Sequence, residues 1–158
     1  IAEHYKSEDM SNAAMAEELM KVNADSLGAV GRAKFDELTG KIYPDACKKQ
    51  YRAAKEAYDS GEYDTVISSL ETVMQMDESY NDGAAMLLLA QGYEKKGDQD
   101  KANTTYQKII ETWPDTDVAT QAQQALDAQS GNTDNSDSKK SDDTKKNSDN
   151  DDNGDNNN

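Results

Sequence analysis

The same glycine-centred turn occurs twice in this chain. Ala57-Tyr58-Asp59-Ser60-Gly61-Glu62-Tyr63-Asp64 and Tyr93-Glu94-Lys95-Lys96-Gly97-Asp98-Gln99-Asp100 place it 36 residues apart. An internal repeat of that length is the mark of stacked helix pairs, because one pair cannot bury its apolar face alone and must pack on a neighbour. The apolar residues on both sides of each glycine agree. Residues 46–59 set Ala53, Ala54 and Ala57 on one face, and residues 63–77 carry Val66, Ile67, Leu70, Val73 and Met74. Residues 84–96 carry Leu88, Leu89 and Tyr93, and residues 101–113 carry Ala102, Tyr106, Ile109 and Ile110 before Pro114 ends them. This is helical spacing throughout, and no strand pattern appears in the sequence.

Further helical patterns flank the repeat. Residues 12–22 show Met15, Leu19 and Val22 as one stripe, with Ser11 placed to cap them. Residues 27–42 carry Val30, Phe35, Leu38 and Ile42 behind Asp25 or Ser26 as a cap. Gly28, Gly31 and Gly40 weaken this stretch by about 1 kcal/mol each relative to alanine, so it needs packing to persist. Tyr43-Pro44-Asp45 predicts a break, since proline restricts the residue before it and brings no amide donor, and Asp45 can cap the next helix. A closing helix over 118–128 offers Ala119, Ala122, Ala125 and Leu126.

From Ser130 onward the chain is Asn, Asp, Ser, Lys and Thr with two glycines. It has no apolar surface to offset an ordering entropy of roughly 1–2 kcal/mol per residue, and the expectation is a disordered tail. Eight Asp against four Lys leave it four negative charges, so eleven of the chain's fifteen fall on residues 1–129. That sign disfavours nucleic acid and anionic membrane surfaces as partners. One cysteine, Cys47, excludes an intrachain disulfide. The longest apolar run, residues 84–90, is far short of the roughly 20 residues of a membrane helix. The chain starts at Ile1 without a signal sequence, and the expectation is a fragment or a mature form whose anchor lies outside it.

The second copy, with Leu89, Ala90, Tyr93, Ala102, Tyr106, Ile109 and Pro114, resembles the tetratricopeptide repeat family, whose unit is about 34 residues. In the first copy Ala54, Gly61, Tyr63, Leu70 and Val73 fit, while Val66 stands where the crossing alanine is usual and Glu78 where proline is. The resemblance implies an all-α fold: a short right-handed α-α superhelix of two helix hairpins with flanking capping helices, followed by the tail. The implied organisation is an N-terminal helical segment or linker over 1–23, a flanking helix over 24–45, the repeat domain with its closing helix over 46–129, and the tail over 130–158. Trp113-Pro114-Asp115-Thr116-Asp117 and the helix after it look like the last repeat of bacterial extracytoplasmic members. This sets the expected location, in a cell-envelope protein.

In this family the first helices of successive repeats line a concave face. Carried over, those positions are Lys48, Tyr51, Lys55, Tyr58 and Asp59, then Leu87, Gln91, Glu94 and Lys95. Lys48, Arg52 and Lys55 form a positive stripe interleaved with tyrosines, which suits an acidic or extended peptide. The same stripe also reads as a solvated helix face with an ordinary Arg52–Glu56 pair. Tyr51 and Leu88 stand where carboxylate-gripping relatives need other residues, so chaperone tails are not expected ligands.

Nothing assembles into a catalytic centre. His4 is isolated near the start, and Cys47 has no partner cysteine or histidine nearby. Asp149-Asn150-Asp151-Asp152-Asn153-Gly154 matches half a calcium loop whose closing acid would fall past the end. The expected function is therefore a non-catalytic protein–protein interaction scaffold without cofactor, metal or small-molecule substrate. It would hold a protein or peptide in the concave face, and membrane attachment would come only through a segment absent from this chain. The alternative is a structural spacer or self-association element of a larger envelope protein.

Overall fold

The computed structural model describes residues 11–133; residues 1–10 and 134–158, and with them His4, the half calcium loop and the tail disorder expected there, lie outside it, while residues 130–133, expected in the tail, continue the last helix. The described residues form six α-helices and no strand: α1 (Asn12–Met20), α2 (Ala29–Ser60), α3 (Tyr63–Met76), α4 (Ala84–Lys96), α5 (Gln99–Thr112) and α6 (Asp117–Thr133). Each helix packs on the next in the chain.

The two turn glycines behave alike. Gly61 and Gly97 end α2 and α4 in the left-handed region, at φ 78° and 87°, where glycine meets no Cβ penalty. In each case the amide after the glycine donates back to a carbonyl five residues earlier, Glu62 to Ala57 at 2.8 Å and Asp98 to Tyr93 at 2.9 Å. The sequence repeat is thus a repeat of geometry, and it delivers two successive helix hairpins.

The principal core runs across the hairpins, with Cys47 and Ala54 from α2, Leu70 and Val73 from α3, Leu89 and Tyr93 from α4, Tyr106 and Ile109 from α5, and Ala122 from α6. Val66 in α3, bulkier than the family's alanine, is fully buried. Its room comes from Gly92: a Cβ built there would stand 3.0 Å from Val66 Cγ1. Glu78, at the other departure from the family pattern, pairs with Lys108 of α5 and so bridges the two hairpins.

A second, smaller core lies at the other end of α2, where Met15, Ala16 and Leu19 of α1 meet Leu38, Ile42 and Ala46. Ser11 caps α1 as expected, accepting from the Ala14 amide at 3.4 Å. The entry to α2 differs from expectation. Residues Ala24–Ser26 make a short 3-10 turn held by Asn23, and α2 starts from Gly28 without a side-chain cap. Val30, expected on the apolar stripe, is 86% exposed, because α1 covers α2 only from about Phe35 onward.

The larger correction concerns Pro44. The expected break at Tyr43-Pro44-Asp45 is absent, and α2 runs through it as one helix of 32 residues. An interior proline costs about 3 kcal/mol through the lost amide bond and its clash with the carbonyl four residues back. That carbonyl belongs to Gly40, and both Gly40 and Pro44 face solvent, where water can serve the orphan group. The opposite face buries Leu38, Ile42, Ala46 and Cys47, each no more than 5% exposed. At roughly 1.5–3 kcal/mol for a large apolar side chain, this burial outweighs the defect. The stretch expected as a separate flanking helix and the first repeat helix are one element.

Candidate functional site

The first helices of the two hairpins, the C-terminal half of α2 and all of α4, touch one another directly. The positions expected to line a groove fall on them with different degrees of access. Lys48, Lys55, Asp59 and Lys95 are exposed; Tyr51, Tyr58, Gln91 and Glu94 are half-buried. Leu87 is only 7% exposed and belongs to the principal core, so its contribution is support rather than contact.

The two groove tyrosines are held by neighbouring rings. Tyr51 meets Tyr80, from the loop between α3 and α4, edge to face with centroids 5.6 Å apart. Tyr58 meets Tyr63 of α3 at 5.7 Å. Such pairs fix the ring planes, leaving rigid half-exposed aromatic surface at low entropic cost. Glu94 is held as well: Tyr106, almost wholly buried in α5, donates its hydroxyl to Glu94 Oε2 at 2.7 Å. Burial first, and then this bond to a carboxylate, push the Tyr106 phenol far above its usual range, so it stays a donor. Tyr93 repeats the device, donating to Glu71 of α3 at 2.6 Å with Lys101 lying 5.2 Å over its ring.

The charges on these helices are distinctive. Between Ala46 and Lys55 there is no acidic residue and four cations, Lys48, Lys49, Arg52 and Lys55. Asp45 borders a shallow depression with Lys48, Lys49 and Arg52, and its carboxylate is engaged by the Asn12 side-chain amide at 3.0 Å. Arg52 does reach Glu56, as the plain surface reading expects, but at 3.9 Å and with both side chains more than three-quarters exposed. A pair of that kind contributes little.

The other candidates stand away from this face. Cys47 is fully buried, and burial, with Asp77 adding, pushes its thiol up to about 11. It also lies in the middle of α2, away from a helix N-terminus, where a thiol's acidity would be raised. No group of three or more His, Cys, Asp or Glu side chains among the described residues is arranged to hold a metal ion. No helix among them is long and apolar enough to cross a membrane.

Residues 84–116 match the family model described as tetratricopeptide repeat. The chain carries a tetratricopeptide repeat. The matched span opens at the first residue of α4 and closes just before α6, so it contains one complete helix pair and the Pro114 turn. Neither the curated proteins nor the solved structures contain a match to this chain. The hairpin of α2 and α3 lies outside the matched span, and its kinship to the tetratricopeptide unit rests on the shared glycine turn and on the equivalent burial of Ala54 and Ala90. Tetratricopeptide repeats are typically non-catalytic interaction modules, which points to a protein partner.

Sequence reasoning missed one residue and one contact that shape the repeat. Gly92, not singled out in the sequence, makes space for Val66; a glycine inside an otherwise strong helical pattern was the available signal. Glu94 was placed on the groove, but its bond to Tyr106 was not foreseen, because residues 12 apart on different helices show no pattern in sequence.

Proposed function

We propose that this protein is a non-catalytic scaffold that holds a partner protein or peptide against the face formed by α2 and α4. The observation that carries the reading is the coincidence of fixed, half-exposed tyrosines with uncompensated lysines on the same helices. Rigid aromatics supply contact area, and exposed like charges steer an oppositely charged chain without holding it by themselves. The contact set is Lys48, Tyr51, Lys55, Tyr58, Gln91, Glu94 and Lys95, with Leu87 beneath. The proposal also takes residues 46–129 as the working unit, with the N-terminal half of α2 continuous with it, and sets it in a bacterial envelope protein on the likeness of the Trp113-Pro114 closing segment.

The test uses the full chain as bait in an extract of the source organism beside a Lys48→Glu, Lys55→Glu, Lys95→Glu variant, both first shown equally helical. The charged positions are chosen because they are exposed and their replacement spares the core. A partner retained by the native chain and lost by the variant supports the groove. A partner held equally by both places the contact elsewhere, and no partner on either leaves the spacer reading in the lead.

A further inference from the structure

Because α2 runs unbroken through Pro44, four of its lysines stand in one line. Lys34, Lys41, Lys48 and Lys55 recur every seventh residue within Ala29–Ser60, and all four are exposed. Seven residues make almost two turns, so the line drifts by only about 20° per step and extends over roughly 32 Å at about 1.5 Å per residue. It starts on the N-terminal half of α2 and lies wholly outside the matched repeat of residues 84–116.

The residue three places after each lysine decides what that lysine meets. After Lys34 it is Glu37, whose two carboxylate oxygens accept from Lys34 and from Lys41, each at 2.7 Å. These bonds, the one from Lys34 first, hold the Glu37 carboxyl down to about 2. After Lys41 the residue is Pro44, and after Lys48 and Lys55 it is Tyr51 and Tyr58. Among the described residues neither Lys48 nor Lys55 has a carboxylate within 4 Å. Asp45, one turn before Lys48, is engaged by Asn12 instead. Asp59, one turn after Lys55, does not come that close. On a chain with a net charge of -15, two open lysines beside a filled copy of the same arrangement are not explained by a shortage of acids.

We propose that the lysine line of α2 is a docking ladder for an acidic segment of a partner protein. A partner carboxylate seats between Lys48 and Lys55 above the Tyr51 ring, as Glu37 seats between Lys34 and Lys41. Glu37 thereby closes the N-terminal half of the ladder to the same ligand. The chemistry is that of a carboxylate, because the filled half shows one carboxylate serving two lysines seven apart. Tyr51, half-buried and braced by Tyr80, supplies a fixed apolar floor to the open half. Successive rungs lie about 10.5 Å apart, which about three residues of extended chain cover, so acids three apart in the partner meet successive rungs. The proposal rests on the reading of this face as a partner site and extends the contact beyond the repeat. The charges are exposed, so the attraction holds at low salt and fades as the Debye length drops to about 3 Å at 1 M.

The probe is a labelled hexaglutamate peptide, titrated at low salt into the full chain and into variants of equal helicity. Lys48→Glu with Lys55→Glu should weaken its binding by about tenfold or more. Glu37→Gln should tighten it several-fold by releasing Lys34 and Lys41. Glu111→Gln, which removes the same charge from an exposed site on α5, should change it little. Tyr51→Glu places a carboxylate where the heptad puts Glu37, and should abolish binding while Tyr51→Gln keeps it. Binding indifferent to the Lys48 and Lys55 reversal overturns docking on α2. If Glu37→Gln binds no tighter than Glu111→Gln, the ladder is overturned, and the scaffold reading stands on Lys48 and Lys55 alone. Equal binding by Tyr51→Glu and Tyr51→Gln overturns the seat above Tyr51, and a stronger grip on inorganic triphosphate than on the peptide overturns the carboxylate assignment. An extract that yields no partner overturns the scaffold reading alone, because the peptide titration does not depend on it.

Discussion

Replacing Pro44 by alanine should make the protein more stable, although proline substitutions are usually pictured the other way round. Pro44 lies inside α2, with helix on both sides and its ring facing solvent. Alanine at that place restores the amide that can donate to the Gly40 carbonyl and removes the ring from it, a difference of about 3 kcal/mol in an unconstrained helix interior. Two effects reduce the gain. Proline restricts the unfolded chain, and losing that restriction gives back roughly 0.4–1 kcal/mol; the exposed Gly40 carbonyl is already open to water. The net is about 2 kcal/mol. With a urea dependence of about 2 kcal/mol per molar for a chain of this size, the unfolding midpoint rises by about 1 M. Pro44→Gly should gain about 1 kcal/mol less, because glycine restores the amide but loses more backbone entropy. A midpoint for Pro44→Ala at or below that of the native chain would refute the argument, since it would mean that no helical hydrogen bond is available at residue 44.

The packing and the shifted acidities set the other expected outcomes. Tyr93→Ala should cost roughly 3–5 kcal/mol, read by the same urea midpoint, because the ring is a core member; an unresolvable change would remove Tyr93 from the core. Gly97→Ala should cost about 1–2 kcal/mol for left-handed backbone alone. Gly83→Ala, with equal backbone demand and a Cβ 2.9 Å from the Trp113 ring, should cost about 1–3 kcal/mol more in thermal unfolding, and equal losses would contradict the contact. At high pH the protein should loosen. Tyr93, Tyr106 and Cys47 all have acidities suppressed by folding, so their contribution is complete below the ordinary values of 9.0 and 10.0 and is lost as pH climbs past them. Tyrosinate absorbance rising only in step with loss of helicity would bear this out, and Tyr106→Phe should flatten the dependence. At the acid end, Glu37, held down to about 2 by bonds to Lys34 and Lys41, favours the folded state above 4.5 and ceases to do so as pH falls toward 2; Glu37→Gln should erase that part of the acid titration of helicity.

The hairpins were legible because local and tertiary signals agree there. Gly61 and Gly97 are turn residues in sequence and left-handed in the fold, and the apolar spacing around them matches what is buried. Where the signals conflicted, burial prevailed. At Pro44 the local rule is a stop, but Leu38, Ile42, Ala46 and Cys47 fall on one face of a continuous helix and packing holds them there. At Val30 the periodicity was right and the partner was missing, since α1 is too short to cover it. The groove was legible only as a set of positions. That Leu87 would sink into the core, and that Tyr51 and Tyr58 would be gripped by Tyr80 and Tyr63, depends on contacts between helices that sequence spacing does not encode.

The contact between Gly83 and Trp113 has a consequence for how such a protein can grow. Gly83 precedes the first residue of α4 and Trp113 comes directly after the last of α5, so the ring at the end of the matched unit packs on the glycine at its start. A unit whose two ends are tied by its own contact is the kind that insertion or duplication disturbs least. Each added copy would carry its own closure and set one more lining helix beside α4, lengthening the binding face by whole steps and never by fractions.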